Sequence, residues 1–319
     1  MRARLTMLSD SARSRLLVQA VQQVLTDVAL AFGHSFLMKE EKIGQASLEA
    51  YDTPMTVETV EACVASDAVL VVTQNGEGML SLAWGTGCSL ACRPFALDQS
   101  WAAHSALKSG AMPSGLVVYP LSDEADAMGD AAIYAYKCAG KTQTPVCEIP
   151  FEGNLKEAWV GATKNAAAQH AAVERQIHTT EDALVRLLAE PDQLGVVLAK
   201  PGAASLLIAA ASAISGVSGV FFDRYVSTDR VIQSVFMPEQ GLPADMNPFG
   251  VLYAAQDLLR ETLQLEREAR CLGAAVANVL AAGWRTRDIA LQGMRVTGYE
   301  TICGLVSEQI ALAGELIEK

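Results

Sequence analysis

Apolar residues recur at helical spacing from residue 14 to 32, at Leu16, Leu17, Ala20, Val21, Val24, Leu25, Val28 and Ala29. This spacing predicts an amphipathic helix that stops near Gly33. A short strand or loop then runs to Ile43. Thr56 is placed to cap a helix that reaches Ala65, and Ala68–Thr73 is an unbroken apolar run of the kind that forms a buried parallel strand. A helix, a strand and a loop in that order give the rhythm of an α/β sheet. Leu116–Tyr119 reads as another strand, and Ile133–Cys138 as one arm of a hairpin that returns over Pro145–Ile149 with Lys141–Thr144 at its tip. Further on, helices are predicted over Asp182–Leu188 and Ala203–Ser215, with a strand over Leu194–Ala199 between them. The stretch from Met246 to Ile289 is a helical pair. One helix spans about Phe249–Leu263, and a second starts near Leu265 and is stopped by Gly283.

Composition narrows the classes. The chain has 319 residues, is 51% hydrophobic and 19% charged, and is long enough to split its core in two. Its 24 basic and 36 acidic residues give a net charge of −12, which argues against binding nucleic acid through phosphates. Seven cysteines lack metal-ligand spacing. Cys88 and Cys92 read as buried small apolar residues, and free thiols suit a reducing, cytoplasmic setting. The basic N-terminus is followed by no apolar core of a signal peptide. Residues 201–222 carry little charge but are mostly Ala, Ser and Gly, so a helix in a globular core is expected and not a membrane span. No phosphate-binding loop, nucleophile elbow, paired-histidine metal motif or Gly-x-Gly-x-x-Gly occurs, and His34, His104, His170 and His178 are scattered.

Several ordered motifs do carry information. They are Gly44-Gln45-Ala46, Thr53-Pro54 with Thr59, and Asp67-Ala68-Val69-Leu70. To these are added the block 190–219, then Asn247-Pro248, Leu259-Arg260, Leu265-Glu266 and the Gly283-Trp284-Arg285-Thr286-Arg287-Asp288-Ile289 close. In this order they resemble the β-decarboxylating dehydrogenases, the isocitrate and isopropylmalate dehydrogenase family, most closely over 44–73, 190–219 and 247–303. The resemblance implies a two-domain α/β fold with mixed sheets flanked by helices and a cleft between the domains. Residues 1–98 and 217–319 would form the discontinuous, cofactor-side domain, and 99–216 a second domain whose arm makes a homodimer.

The resemblance also implies a chemistry, the oxidation of a 2-hydroxy acid by a nicotinamide cofactor with a divalent metal polarising the substrate oxygens. In register, two metal-binding aspartates of the family fall on Ser205 and Ala209, and the third position falls on Glu181 beside Asp182. A hydroxyl and a methyl cannot replace two anions, so Mg²⁺ or Mn²⁺ is not expected. Of three substrate-binding arginines one is matched, by Arg93 in Cys92-Arg93-Pro94. The catalytic tyrosine falls on Tyr134 or its neighbour Tyr136, and the catalytic lysine on Lys164, although a lysine there is ordinarily just solvated. The adenosine loop falls on 240–248. There Gly241, Asp245 and Asn247 would hold the cofactor, and an acid at 245 favours NAD; a simple turn capped by Asn247 reads equally well. Asn75, in the loop Gln74–Gly78, would border the nicotinamide. The glycines of the N-terminal Gly-Asp-Gly motif are replaced in Ser9-Asp10-Ser11. Two functions follow as expectations. One is an NAD-dependent oxidoreductase acting on a 2-hydroxy acid without a metal. The other is an inactive member serving as a regulatory, scaffold or small-molecule-binding protein with its ligand in the cleft.

Overall fold

The computed structural model describes residues 1–121, 125–227, 229–237 and 246–317. The chain divides into two compact units, 1–89 with 218–319 and 90–217. The first unit opens with β1 (Arg2–Ser9), α1 (Ala12–Ala31), β2 (Ser35–Lys42), α2 (Gly44–Tyr51), α3 (Val57–Ala65), β3 (Ala68–Thr73) and α4 (Met79–Thr86). The second holds β4 (Leu90–Pro94), β5 (Val117–Pro120), α5 (Ala125–Thr142), β6 (Val146–Glu148), α6 (Lys156–Gln169), β7 (Arg175–Ile177), α7 (Thr180–Ala189), β8 (Val196–Ala199) and α8 (Pro201–Ser215). The chain then returns to the first unit with β9 (Asp223–Val226), β10 (Val231–Phe236), α9 (Phe249–Asp257), a π-helical turn at Leu258–Thr262, α10 (Glu266–Ala281), the short pair β11 (Trp284–Arg285) and β12 (Arg295–Val296), and α11 (Tyr299–Ile317).

In the first unit the strand order is β2-β1-β3-β10-β9. β2, β1, β3 and β10 run parallel, and β9 is antiparallel to β10. All six residues of β3 are buried, because both sheet faces are covered. Leu8, Val69, Val71 and Ile232 face a layer made by Met55, Cys63, Met79 and Leu82 of the α3–α4 side. The other face is covered by α1 and α9, on which α10 and α11 pack, with Leu17, Val21, Val24, Leu25 and Val28 of α1 fully buried. Thr56 caps α3 as its sequence suggests, its hydroxyl accepting from the Thr59 amide at 3.1 Å. β1 and β10 were not evident in the sequence. Arg2 and Arg4 make the start of β1 look like a charged tail, yet they alternate with the buried Ala3 and Leu5.

In the second unit the order is β4-β5-β8-β6-β7, parallel from β5 to β7 with β4 antiparallel at its edge. Here the expected hairpin arm is overturned. Ile133–Cys138 lies inside helix α5, and Lys141 lies in that helix's last turn. The supposed return strand, β6, pairs in parallel with β7 and β8. The pattern explains why. Ala131, Ala132, Ala135, Tyr136 and Ala139 are buried at i, i+1, i+4, i+5 and i+8, a helix face, where a strand would bury alternate residues. The single helix expected over 249–263 changes pitch after Asp257, the π turn beginning at Leu258. Among the described residues no helix is long and apolar enough to cross a membrane.

Candidate functional site on the carboxyl edge of the first unit

The parallel register brings the ends of β1, β3 and β10 to one edge. Ser9 aligns with Val72, Val72 with Val235, and Thr73 with Phe236. After β1 the chain crosses to β2 on one side, and β3 lies on β1's other side, so strand order reverses between β1 and β3. The carboxyl end of such a reversal is where open α/β sheets bind ligands.

One buried carboxylate closes that crevice. Asp10, 2% exposed, directly follows β1. Its Oδ2 accepts from the Thr73 hydroxyl at 2.7 Å and from the Gln74 amide at 2.6 Å, both at the end of β3. Its Oδ1 accepts from the Ser14 hydroxyl at 3.0 Å. Thr73 Oγ1 in turn accepts from the Gly76 amide at 2.9 Å, and Asn75 Oδ1 from the Glu77 amide at 3.0 Å. The loop 74–78 is thus a tight, internally bonded turn with Asn75 exposed on it. It packs closely on the start of α2. A Cβ at Gly44 (φ 57°) would meet the Glu77 carbonyl at 2.9 Å, and one at Gly78 (φ 83°) the Pro54 carbonyl at 2.7 Å. Glycine is needed at both because backbone meets backbone.

The first turn of α1 points at the same edge but is already closed. Ser11 and Ser14 form a reciprocal capping box, each amide donating to the other's hydroxyl at 3.2 and 3.0 Å. Two backbone donors that a phosphate would use are therefore taken, and what remains for an anion is the potential of a 20-residue helix. Beside it runs a groove of about 580 Å³, lined among others by Ser9, Ser11, Arg15, Glu40 and Lys42. Arg15 Nε donates to Glu40 across it at 2.8 Å.

The other cofactor residues lie past β10. Gly241 and Asp245 fall outside the described residues. Asn247 is described. Its Oδ1 accepts from the Phe249 amide at 3.0 Å, and its Nδ2 donates to Asp288 Oδ2 at 3.0 Å and to the Ser218 carbonyl at 3.4 Å. It therefore caps α9, and it also ties the Asn-Pro motif to the Arg-Thr-x-Asp motif 41 residues on. Nothing in the linear order of residues signals this link between the two motifs.

The remaining candidates belong to the second unit. Arg93 is half-buried on β4, opposite Val118. Tyr134 is half-buried on α5 with the Lys137 ammonium 5.9 Å from its ring centre, and Lys164 is exposed on α6. Ser205 and Ala209 sit one turn apart on an exposed side of α8, while Glu181 and Asp182 open α7. A hydroxyl and a methyl are not a donor set for a divalent cation. Among the described residues no group of three or more His, Cys, Asp and Glu is placed to hold a metal ion. Sequence reasoning missed a buried cluster here. Glu148, fully buried at the end of β6, accepts from the Tyr136 hydroxyl at 2.7 Å and from Arg175 Nε and Nη2 at 2.9 and 2.7 Å. Burial, and next the Glu148 carboxylate, push the Tyr136 phenol well above its ordinary range.

Comparison with known proteins fits this architecture. No protein-family model matches the chain. It is 26% identical to the 3-isopropylmalate dehydrogenase of Oleidesulfovibrio alaskensis, over 94% of this chain and 97% of that one. It is 24% identical to the enzyme of the same name from Bacillus subtilis, over 91% and 92%. Among solved structures it resembles isocitrate dehydrogenase from Methylococcus capsulatus (TM-score 0.78, 14% identity, 97% of this chain and 99% of that one). It also resembles a β-decarboxylating dehydrogenase from Thermococcus kodakarensis (TM-score 0.77, 17% identity, 99% and 98%). Similarity thus runs the full length of the chain, in sequence to enzymes named 3-isopropylmalate dehydrogenase and in fold to isocitrate and β-decarboxylating dehydrogenases.

Proposed function

We propose that the chain is an NAD-dependent oxidoreductase acting on a malate-type 2-hydroxy acid, with the cofactor on the carboxyl edge of β1, β3 and β10. The observation that carries this reading is the strand-order reversal between β1 and β3, closed by Asp10, in a chain whose full-length relatives are named 3-isopropylmalate dehydrogenases. Bound there, NAD would accept the hydride from the substrate's carbinol carbon. Asp10 acts as a positioning residue, holding the loop after β3 against the loop after β1. Asn247, bonded to Asp288, ties the start of α9 to the Arg-Thr-x-Asp motif. Arg93 would hold a substrate carboxylate, and Tyr134 and Lys164 would move protons, so Lys164→Ala and Tyr134→Phe are each expected to lower kcat by about 10²-fold or more. Ser205 and Ala209 would offer a divalent cation no carboxylate, so the reaction is read as metal-independent. The reading includes a homodimer, which sedimentation of the purified chain tests.

A second reading, a regulatory or ligand-binding protein without turnover, is favoured by Ser205 and Ala209 in place of carboxylates. Calorimetric titration of NAD, repeated with Mg²⁺ and with EDTA, separates the two. Saturable NAD binding indifferent to metal supports the oxidoreductase. No binding at millimolar NAD removes it and leaves the second reading. Strong metal dependence would show that the cation finds ligands other than Ser205, Ala209 and Glu181.

A further inference from the structure

A groove of about 470 Å³ lies between α10 and α11 and ends against Phe32, the residue that follows α1. Along α10 it extends from Arg267 to Asn278, about 16 Å of helix. Ala274 and Ala313 line it and are too short to fill it. At one end Asn278 Nδ2 donates to Gln309 Oε1 at 3.2 Å and ties the two helices together. At the other end stand Arg267 and Arg270, and these are the charged residues of its lining, in a chain whose acids outnumber its bases 36 to 24. The acids beside them in sequence are engaged elsewhere. Glu266 accepts from Arg260 Nε at 3.0 Å and lies 3.8 Å from Arg270, while Glu268 is buried against His34 at 2.7 Å. Among the described residues Arg267 has no carboxylate within ion-pair distance. Its guanidinium lies over the Phe32 ring, 5.7 Å from the centre, which steadies the cation and leaves its N–H fork open to an anion. Phe32 follows one end of α1 and Ser11 caps the other, so 20 residues, about 30 Å of helix, separate this groove from the carboxyl edge.

We propose that this groove is a second small-molecule site, independent of the cofactor and substrate reading, and that it takes a straight-chain carboxylate. The head sits on Arg267 and Arg270, and the chain runs along α10 toward Asn278. The head follows from charge. Two guanidiniums three residues apart share one side of the helix, and a guanidinium fork meets a carboxylate through two parallel hydrogen bonds. The body follows from lining and shape. Between the arginines and Asn278, α10 offers the methyls of Ala274 and Ala275 and the Cys271 thiol. A volume of about 470 Å³ spread over about 16 Å is narrow as well as long, the shape of one alkyl chain and not of a ring system. It falls within the range of clefts that hold small ligands. A protein helix, about 10 Å across with its side chains, does not enter it.

The probe is sodium decanoate, titrated calorimetrically into the full-length chain, with hexanoate and decanol as controls. Cys271, half-buried in the groove lining, adds a local readout. Iodoacetamide labelling followed by peptide mass separates it from Cys138, the other half-buried thiol, which lies in the other unit. At about ten times its Kd, decanoate should slow Cys271 labelling about tenfold and leave Cys138 unchanged. Each methylene from hexanoate to decanoate should tighten binding about threefold. Decanol at the same concentration should protect neither thiol. Arg267→Gln should weaken decanoate about tenfold. Ala274→Phe, which fills the groove from an exposed position, should abolish binding at an unchanged thermal midpoint. If that variant does not fold, Arg267→Gln, also exposed, decides the matter. Equal slowing at both cysteines would reveal detergent-like adsorption, and equal protection by decanol would remove the anion. Sedimentation of the chain with anionic phospholipid vesicles, lost in Arg267→Gln, would make this face a membrane contact. Each of these overturns the proposal, as does no binding at millimolar decanoate or an affinity indifferent to Arg267→Gln.

Discussion

Asp10 takes three hydrogen bonds from neutral donors, a hydroxyl on each side and one backbone amide. Asn in its place would turn an amide NH₂ toward a group that is itself donating. Asp10→Asn is therefore expected to cost about 1–3 kcal/mol in urea unfolding and to weaken NAD binding by loosening loop 74–78. Were the fold to lose stability with NAD affinity intact, Asp10 would be structural only. In the second unit, Tyr136→Phe removes a donor to a buried carboxylate and should cost about 1.5–3 kcal/mol, with Glu148 still held by Arg175. The sequence names Asp10 only as the middle of a motif that has lost its glycines, and Glu148 not at all. Burial and hydrogen bonding are properties of where three strands end, and a reading of one segment at a time does not see them. Asn247 shows the opposite case. Its cap on α9 was legible from Asn-Pro, but its bond to Asp288 was not, because that partner is 41 residues distant.

At the scale of elements, the strands and helices with one strong period were legible and those with a mixed signal were not. β3 and α1 show unambiguous patterns and formed as expected. Part of α5 reads as a hairpin arm because Tyr and Ile invite a strand, while its many small alanines hide the helical face that they bury. Helix ends were legible at Gly33 and Gly283, each left-handed just past its helix, but not at Gly87, which ends the unpredicted α4. At Gly216 (φ 63°), which ends α8, an added Cβ would collide with the His104 backbone carbonyl. Gly216→Ala should thus cost about 1–3 kcal/mol from backbone conformation alone, and more if His104 cannot yield. Thermal unfolding would measure this, and a change under about 0.5 kcal/mol, the usual range for a neutral surface substitution, would contradict it.

For the molecule as a whole, all seven cysteines are thiols, and five of them are buried. Burial pushes Cys63, Cys147 and Cys303 up to about 12. Their folded values lie above the unfolded ones, so the stability they contribute is complete below about pH 8.5 and is lost as pH climbs toward 12. Urea midpoints should hold level up to pH 8.5 and fall beyond it, and a level profile up to pH 11 would refute this. In iodoacetamide labelling at pH 8, Cys138 and Cys271, the two half-buried thiols, should be modified first. The resemblance to the isocitrate/isopropylmalate dehydrogenases was legible because the motifs that carry it occur in order along the chain, while the pairing of β1, β3 and β10 into one edge was not, since 158 residues separate Thr73 from Val231.

That separation sets an order on the ribosome. Residues 1–89 leave the tunnel first, yet their sheet lacks β10, and α1 lacks α11, which is built from the last residues described. The unit 90–217 is continuous and has all five of its strands before β10 is synthesised. The earliest segment of the chain is thus the last to be enclosed. Throughout elongation the apolar edge of β3 waits for a strand that does not yet exist, and a nascent chain stalled near residue 217 would present that edge to a chaperone.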